Sequence, residues 1–122
     1  MTTSPPRSID ELYSLVSLAI HRAGAAEGTA AEAAHLEVSC LEEEIAELLT
    51  ASDKQGAIAR RGVLTAAIAA RQYMRAVAMA DAYLAEQGFS EALRAKLLAL
   101  RETAQRAHSA GGQLRGRSPL PR

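Results

Sequence analysis

AIARRGVLTAAIAARQYMRAVAMADAYLAEQG, residues 57–88, is the stretch whose conformation decides the fold. It is rich in alanine, contains no proline, and has Gly62 as its one glycine before Gly88. Alanine is the best helix former and a poor strand former, so the stretch predicts helix. A single helix would be about 45 Å long at 1.5 Å per residue. The alternative is a helical hairpin that turns near Arg71 and Gln72, and the sequence leaves both open.

The preceding stretch predicts an amphipathic helix from Thr29 to about Thr50, opened by a capping box of Thr29 and Glu32. Its apolar residues recur at steps of three and four and therefore share one face. They are Ala34, Val38, Leu41, Ile45 and Leu48. The opposite surface is acidic and is expected to be solvated. It carries Glu37, Glu42, Glu43, Glu44 and Glu47.

Two more helices are predicted on either side of these segments. Ser8 and Glu11 form a capping box before the first helix, and Ser90 caps the last one. Apolar residues of the first helix are Ile9, Leu12, Leu15, Val16, Ala19 and Ile20. Those of the last helix are Leu93, Leu97, Leu100, Ala104 and Ala107. Together with a cap from Ser52 or Asp53, the pattern predicts an all-α fold of four to five helices packed as an antiparallel bundle.

The chain ends differ in composition from this helical region. Residues 1–7 include Pro5 and Pro6 and are expected to form a flexible arm. Residues 8–107 are predicted to form a single helical domain. Residues 108–122 contain glycine, proline and arginine without an apolar period, and a disordered basic tail is expected there.

The charges of the whole chain argue against two classes of partner. Its 122 residues include 14 basic and 14 acidic side chains, so it lacks the strong field of a protein that binds nucleic acid or a membrane surface. No window approaches the roughly 20 apolar residues of a membrane-spanning helix. The single cysteine, Cys40, excludes an internal disulfide and favours a reducing compartment, so we expect a cytoplasmic protein.

Several positions of residues 57–88 follow the pattern of a repeated helical hairpin. An aromatic residue lies near the turn, and small and bulky residues alternate where the second helix packs on the first. The positions are Leu64, Tyr73, Ala76, Ala80 and Tyr83. In this respect the segment resembles a tetratricopeptide repeat, with Gly88 as the helix breaker and residues 90–107 as the capping helix. The resemblance implies a short tetratricopeptide-like helical array that binds a peptide or partner on a concave surface.

Groups that could carry catalysis or bind a metal are sparse. Glu32 and His35 have the E-x-x-H spacing of di-iron helices, but one such motif supplies only two ligands. The acidic residues after Cys40 disfavour the thiolate that a nucleophile needs, so Cys40 is expected to be a packing residue. The sequence also lacks a nucleophile elbow and a P-loop. We therefore predict no enzymatic activity, no cofactor and no bound metal.

The remaining pattern favours protein binding. We predict a protein-interaction module, an adaptor or chaperone-like subunit, that holds a partner helix or peptide in an apolar groove between helices. The expected apolar surface consists of Ala66, Ala67, Ala70, Val77, Ala78 and Ala82. Acidic residues expected to attract a basic partner are Glu42, Glu43 and Glu47. The alternatives are a self-associating structural bundle, which forms a homo-oligomer, and a small regulator that binds nucleic acid. Solvated faces that only orient neighbouring helices would also explain the charges.

Overall fold

A computed structural model describes the backbone of residues 7–116 and the side chains of residues 7–111. Over this range the chain forms five helices and no strand. The helices are α1 (Ile9–Ala25), α2 (Gly28–Leu48), α3 (Lys54–Ala69), α4 (Tyr73–Leu84) and α5 (Glu91–Gly116). The predicted all-α fold of four to five helices is confirmed.

Residues 57–88, for which the sequence allows one long helix or a hairpin, form a hairpin that contains most of α3 and all of α4. Arg71 adopts the left-handed conformation with φ 61°. The backbone N–H of Gln72 donates to the Ala67 carbonyl at 2.8 Å, and that of Arg71 donates to the Ile68 carbonyl at 2.9 Å. This pair of bonds is a Schellman motif, which ends α3 and reverses the chain. Plain bundles and tetratricopeptide arrays both contain such hairpins, so the tetratricopeptide resemblance stays a prediction.

The helices pack as neighbours along the chain, with α3 at the centre. α2 packs between α1 and α3, while α3 also contacts α4 and α5. Within residues 7–116, α1 approaches the backbone of α2 alone. The largest fully buried apolar side chains are Leu12, Ile45, Val63, Leu64 and Leu97. Ile20 and Leu48 were predicted on the apolar faces but are exposed, because α1 and the end of α2 lack a neighbour on that side.

Helix starts follow the sequence at three of the four predicted caps. A side-chain oxygen accepts a backbone N–H of the first turn at Ser8, Asp53 and Ser90. The capping box at Thr29 is wrong, since α2 begins at Gly28 and its N-cap, Glu27, makes no side-chain cap bond. Gly28 has φ +59°, which lets the chain enter the helix one residue early and places Thr29 inside the first turn.

The last helix is longer than predicted. α5 extends to Gly116, whereas the sequence pattern placed its end at Ala107. The first proline after the start of α5 is Pro119, and a glycine inside a helix costs only about 1 kcal/mol, so nothing in residues 108–116 forces an end. Residues 1–6 of the predicted arm and residues 117–122 of the predicted tail lie outside the described residues.

A buried arginine joins α2, α3 and α4. Arg60 is 4% exposed, and its guanidinium donates to both carboxylate oxygens of Glu86, at 2.6 and 3.0 Å. It also donates to the carbonyls of Ala46 and Leu49 at the end of α2, at 3.2 and 3.1 Å, and to the Gly56 carbonyl at 3.0 Å. Its positive charge suits the negative end of the α2 dipole. The alternative of solvated charged faces therefore does not hold for Arg60.

Tyr83 lies against this arginine and has a buried hydroxyl. The Arg60 guanidinium carbon is 5.3 Å from the centroid of the Tyr83 ring, a cation–π distance. The hydroxyl is buried and has no hydrogen-bond partner within the described region. Burial is also the main cause that raises the pKa of Tyr83, so the group stays protonated. A buried polar group without a partner lowers stability.

Replacing Tyr83 with phenylalanine should therefore stabilise the protein. The change removes the unpaired hydroxyl and keeps the ring over Arg60, so we expect the free energy of unfolding to rise by about 1 kcal/mol. Urea unfolding followed by circular dichroism measures the difference. Tyr13→Phe is the matched control, because Tyr13 is exposed and its contact to Gln55 is long, at 3.5 Å. A loss of stability in Tyr83→Phe would mean that the hydroxyl has a partner.

Candidate functional site

A cleft opens between the start of α3 and the start of α5. It has a volume of about 420 Å³. Ala57 and Ile58 of α3 and Leu93 of α5 form its apolar floor, while Lys54 and Arg61 lie along the α3 side. A concave apolar surface with a few charged groups at its edge is the usual form of a binding site. The cleft is therefore the candidate functional site.

One wall of the cleft belongs to the linker between α2 and α3, residues 49–53, of which Ala51, Ser52 and Asp53 line it. Arg60 holds this linker through its bond to the Leu49 carbonyl. Asp53 holds the other end, since one of its carboxylate oxygens accepts the N–H groups of Gln55 at 2.8 Å and Gly56 at 3.3 Å. The linker is thus held at one end by Arg60, which does not line the cleft, and at the other by Asp53, which does.

Two cations at the cleft have no acidic partner among the described side chains. Lys54 and Arg61 are exposed, and none of the ion pairs between described residues includes either of them. Asp53 is the one acidic residue in the cleft lining, and its carboxylate already caps α3. α3 and α5 also both begin here, and the start of a helix carries partial positive charge. The two cations outnumber the one carboxylate of the lining, so its formal charge is positive although the whole chain has no net charge.

The alanine surface predicted from the sequence lies largely inside the protein. Four of its six residues are buried between α3 and neighbouring helices: Ala66, Ala67, Ala70 and Val77. Ala78 and Ala82 on α4 are exposed. A partner can reach only these two without disturbing the fold, so partner contact stays a prediction for Ala78 and Ala82. Periodicity does not separate a helix face that packs in its own core from one that binds a partner.

The acidic surface of α2 is mostly paired with arginines of the same chain. Arg75 donates to Glu43 at 2.8 Å and to the buried hydroxyl of Ser39 at 3.0 Å. Two further pairs join α1 or its N-terminal flank to α2: Arg22 with Glu37, and Arg7 with Glu44. Glu47 is exposed. Because much of the acidic charge is neutralised internally, this face would attract a basic partner less strongly than the sequence indicates.

Glu42, also predicted to bind a partner, is half-buried against α3. Its carboxylate lies over Gly62, where a Cβ atom would collide with it. No hydrogen bond to it occurs within residues 7–111. Burial raises the pKa of Glu42 from an ordinary value of 4.5 to about 7. The absence of a side chain at Gly62 thus leaves room for a carboxylate that is poorly hydrated.

Glu42→Gln should be more stable than the natural protein above pH 7 and equally stable below pH 4.5. Because the pKa is raised on folding, the protonated carboxyl favours the folded state, and that contribution is lost as the pH rises through about 7. A tenfold change in proton affinity is about 1.4 kcal/mol, and solvent at the half-buried group reduces the expected difference to about 1–2 kcal/mol. Urea unfolding at several pH values measures it, with exposed Glu47→Gln as control. A difference that does not change with pH would contradict the prediction.

Other groups considered from the sequence do not assemble into a site. Glu32 and His35 are both half-buried on α2. No cluster of three or more His, Cys, Asp or Glu side chains suited to a metal is found among the described residues. Cys40 is exposed, so its predicted role as a packing residue is wrong: it lies on the outer side of α2, away from the Val38 and Leu41 face. None of the helices in the described range is long and apolar enough to cross a membrane.

Comparison of the chain with protein-family models, curated proteins and solved structures gave no significant match. Its function must therefore be inferred from its own geometry. The residues that the sequence interpretation missed are Lys54 and Ile58, which with Arg61 follow one face of α3 at steps of four and three. That basic–apolar–basic spacing is visible in the sequence. Only the fold shows that this face borders a cleft.

Proposed function

We propose that this protein is a non-enzymatic interaction module, an adaptor or chaperone-like subunit, that binds a helix or peptide of another protein in the cleft between α3 and α5. One observation carries the proposal: the cleft combines an apolar floor at Ala57, Ile58 and Leu93 with cations that have no acidic partner among residues 7–111. Burying that apolar surface under a partner residue is favourable, and the cations select the partner's charge.

Binding suits the cleft better than catalysis does. No histidine, cysteine or glutamate lines it, and the carboxylate of Asp53 is used in capping α3. General acid–base catalysis needs a group that gains or loses a proton near neutral pH within reach of a substrate. The exposed Cys40, the one cysteine of the chain, supports the proposal that the protein works in the cytoplasm, where thiols stay reduced.

Site-specific photocrosslinking in the native host tests this proposal. A photoreactive amino acid replaces Ile58 at the cleft or Thr103 on the exposed side of α5 as control. We expect one partner to crosslink from position 58 and not from position 103. The purified partner should then lose binding to Ile58→Asp and keep binding to Thr103→Asp, with both variants helical by circular dichroism. Equal crosslinking from the two positions, or full binding to Ile58→Asp, would contradict the proposal.

Self-association is the second candidate, and α1 is the observation that favours it. Among the helices of residues 7–116, the backbone of α1 comes close to that of α2 alone. α1 also leaves Tyr13 and Ile20, which share one face at i and i+7, 39% and 55% exposed. Apolar side chains that share an exposed face often mark an interface, whereas single scattered ones do not. Sedimentation of the purified protein without a partner decides the question. An oligomer that Ile20→Glu converts to monomer would support self-association, and a monomer at high concentration would exclude it.

A further inference from the structure

Three side chains on α3 set the chemistry that the cleft can recognise. Lys54, Ile58 and Arg61 lie at positions i, i+4 and i+7, so they share one face of the helix. The two cations are about 10.5 Å apart along the axis at 1.5 Å per residue. Ile58 lies between them and belongs to the apolar floor. The face therefore presents a positive, an apolar and a second positive group in line.

The charges around this face favour a negative occupant. Elsewhere in the described region, most of the arginines of α1, α3 and α4 are held by acidic residues: Arg22 by Glu37, Arg60 by Glu86 and Arg75 by Glu43. Lys54 and Arg61 are not paired in this way. Asp53 caps the start of α3 and Glu91 lies in the first turn of α5, so the attraction for an anion comes from the two side-chain cations. A carboxylate placed here gains attraction that an exposed surface without these groups does not provide.

We infer that the segment bound in this cleft is an acidic amphipathic helix of another protein, with two carboxylates seven residues apart and an aliphatic side chain between them. The aliphatic residue would enter the cleft beside Ile58, and the carboxylates would pair with Lys54 and Arg61. A helix matches because its own residues at i and i+7 have the same separation as the two cations. The inference depends on the proposed function and adds the class of partner.

Nucleic acid fits this face less well. Tight binding to a phosphate backbone uses many basic residues and few apolar ones. Here two cations flank an isoleucine, and Ala57 and Leu93 extend the apolar surface beneath it. The aliphatic part of a peptide would cover that surface, whereas phosphates would leave it exposed to water. The apolar floor is thus the feature that selects an acidic peptide.

Defined peptides test the inference. The probe is a fluorescent alanine-based helical peptide of about 20 residues that contains Glu-x-x-Leu-Leu-x-x-Glu, a symmetric pattern that suits either orientation. Two matched peptides carry Lys or Gln in place of both glutamates. In fluorescence anisotropy we expect the acidic peptide to bind about tenfold or more tightly than the Lys peptide, with the Gln peptide between them. A single-stranded oligonucleotide serves as a fourth probe. We expect it not to bind in the cleft, so Ile58→Asp should not change its anisotropy.

Charge reversal locates the binding. The double variant of Lys54→Glu and Arg61→Glu should bind the acidic peptide about tenfold or more weakly than the natural protein does, and it should bind the Lys peptide more tightly. The control double variant, Lys96→Glu and Arg106→Glu on α5, changes the total charge equally and should leave binding unchanged. Circular dichroism checks that both variants remain helical. Binding of the Lys peptide by the charge-reversed variant would show that this variant is folded and that the charges contact the peptide directly.

The outcomes separate this inference from the proposed function. If the protein prefers the acidic peptide and the double variant of Lys54→Glu and Arg61→Glu reverses that preference, both the inference and the proposed function are supported. Equal binding of all three peptides, abolished by Ile58→Asp, overturns the acidic partner and leaves cleft binding intact. Preference for the Lys peptide, binding of the oligonucleotide in place of peptides, or no peptide binding at millimolar concentration also overturns the acidic partner. The photocrosslinking experiment then tests the proposed function independently of the partner's charge.

Discussion

Replacing Arg60 with leucine should lower the free energy of unfolding by about 2–3 kcal/mol, chiefly because buried carbonyl groups lose their donor. Leucine fills part of the buried space but provides none of the five hydrogen bonds that the guanidinium donates. The Leu49 carbonyl at the end of α2 loses its donor, and Glu86 loses its ion-pair partner. A loss of this size is a large part of the total stability of a small domain. Urea unfolding measures the loss of stability. The midpoints of the two proteins can be compared directly if the free energy of unfolding depends on urea concentration with the same slope in both.

Two other variants show why the arginine is needed. Arg60→Lys keeps the charge, but a single ammonium group cannot bind Glu86 in two places and reach α2 as well, so we expect an intermediate loss. Arg22→Leu removes an exposed Arg–Glu pair at 3.1 Å and should cost less than about 1 kcal/mol. Equal losses in Arg60→Leu and Arg22→Leu would show that the buried network contributes no more than a surface pair.

Gly56→Ala should lower the free energy of unfolding by about 2–3 kcal/mol, although alanine is normally the better residue in a helix. A Cβ atom at Gly56 would overlap the backbone carbonyl of Thr50 and come within 3.1 Å of an Arg60 guanidinium nitrogen. A backbone carbonyl cannot move aside as the tip of a side chain can, so the α2–α3 linker must shift. That shift also strains the bonds from Arg60 to the end of α2. Thermal and urea unfolding measure the effect.

Gly24→Ala is the matched control for this substitution. Gly24 lies in α1, and a Cβ atom there meets nothing within 4 Å. We expect this variant to gain up to about 1 kcal/mol from the higher helix propensity of alanine. If Gly56→Ala gains stability as well, the linker is not held against α3 as closely as the structure indicates.

Both positions also connect stability to the candidate site. Arg60 and Gly56 fix residues 49–53, which form a wall of the cleft beside Lys54. A variant that loosens the linker should weaken peptide binding even where the helices remain folded. The proposed binding residues Lys54, Ile58 and Arg61 are exposed and contribute little to the core, so their replacement should weaken binding and leave stability nearly unchanged. Binding and stability can therefore be separated by mutation.

The sequence by itself determined the local structure, because helix formation and capping depend on residues close along the chain. Alanine content and apolar steps of three and four predicted an all-α fold, and the side chains of Ser8, Asp53 and Ser90 marked three helix starts. It also placed Leu64, Ala76 and Ala80 in packing positions, and all three are buried.

Only the tertiary structure decided whether residues 57–88 turn back, near Arg71 and Gln72, and which faces stay exposed. Arg71 occupies a left-handed position that usually holds glycine, so no turn residue marked the hairpin between α3 and α4. Whether Ala67 is core, Arg60 is buried or Ile58 borders a cleft depends on neighbours far along the chain. A helix period shows that two residues share a face, but the partner of that face is set by the packing of the other helices.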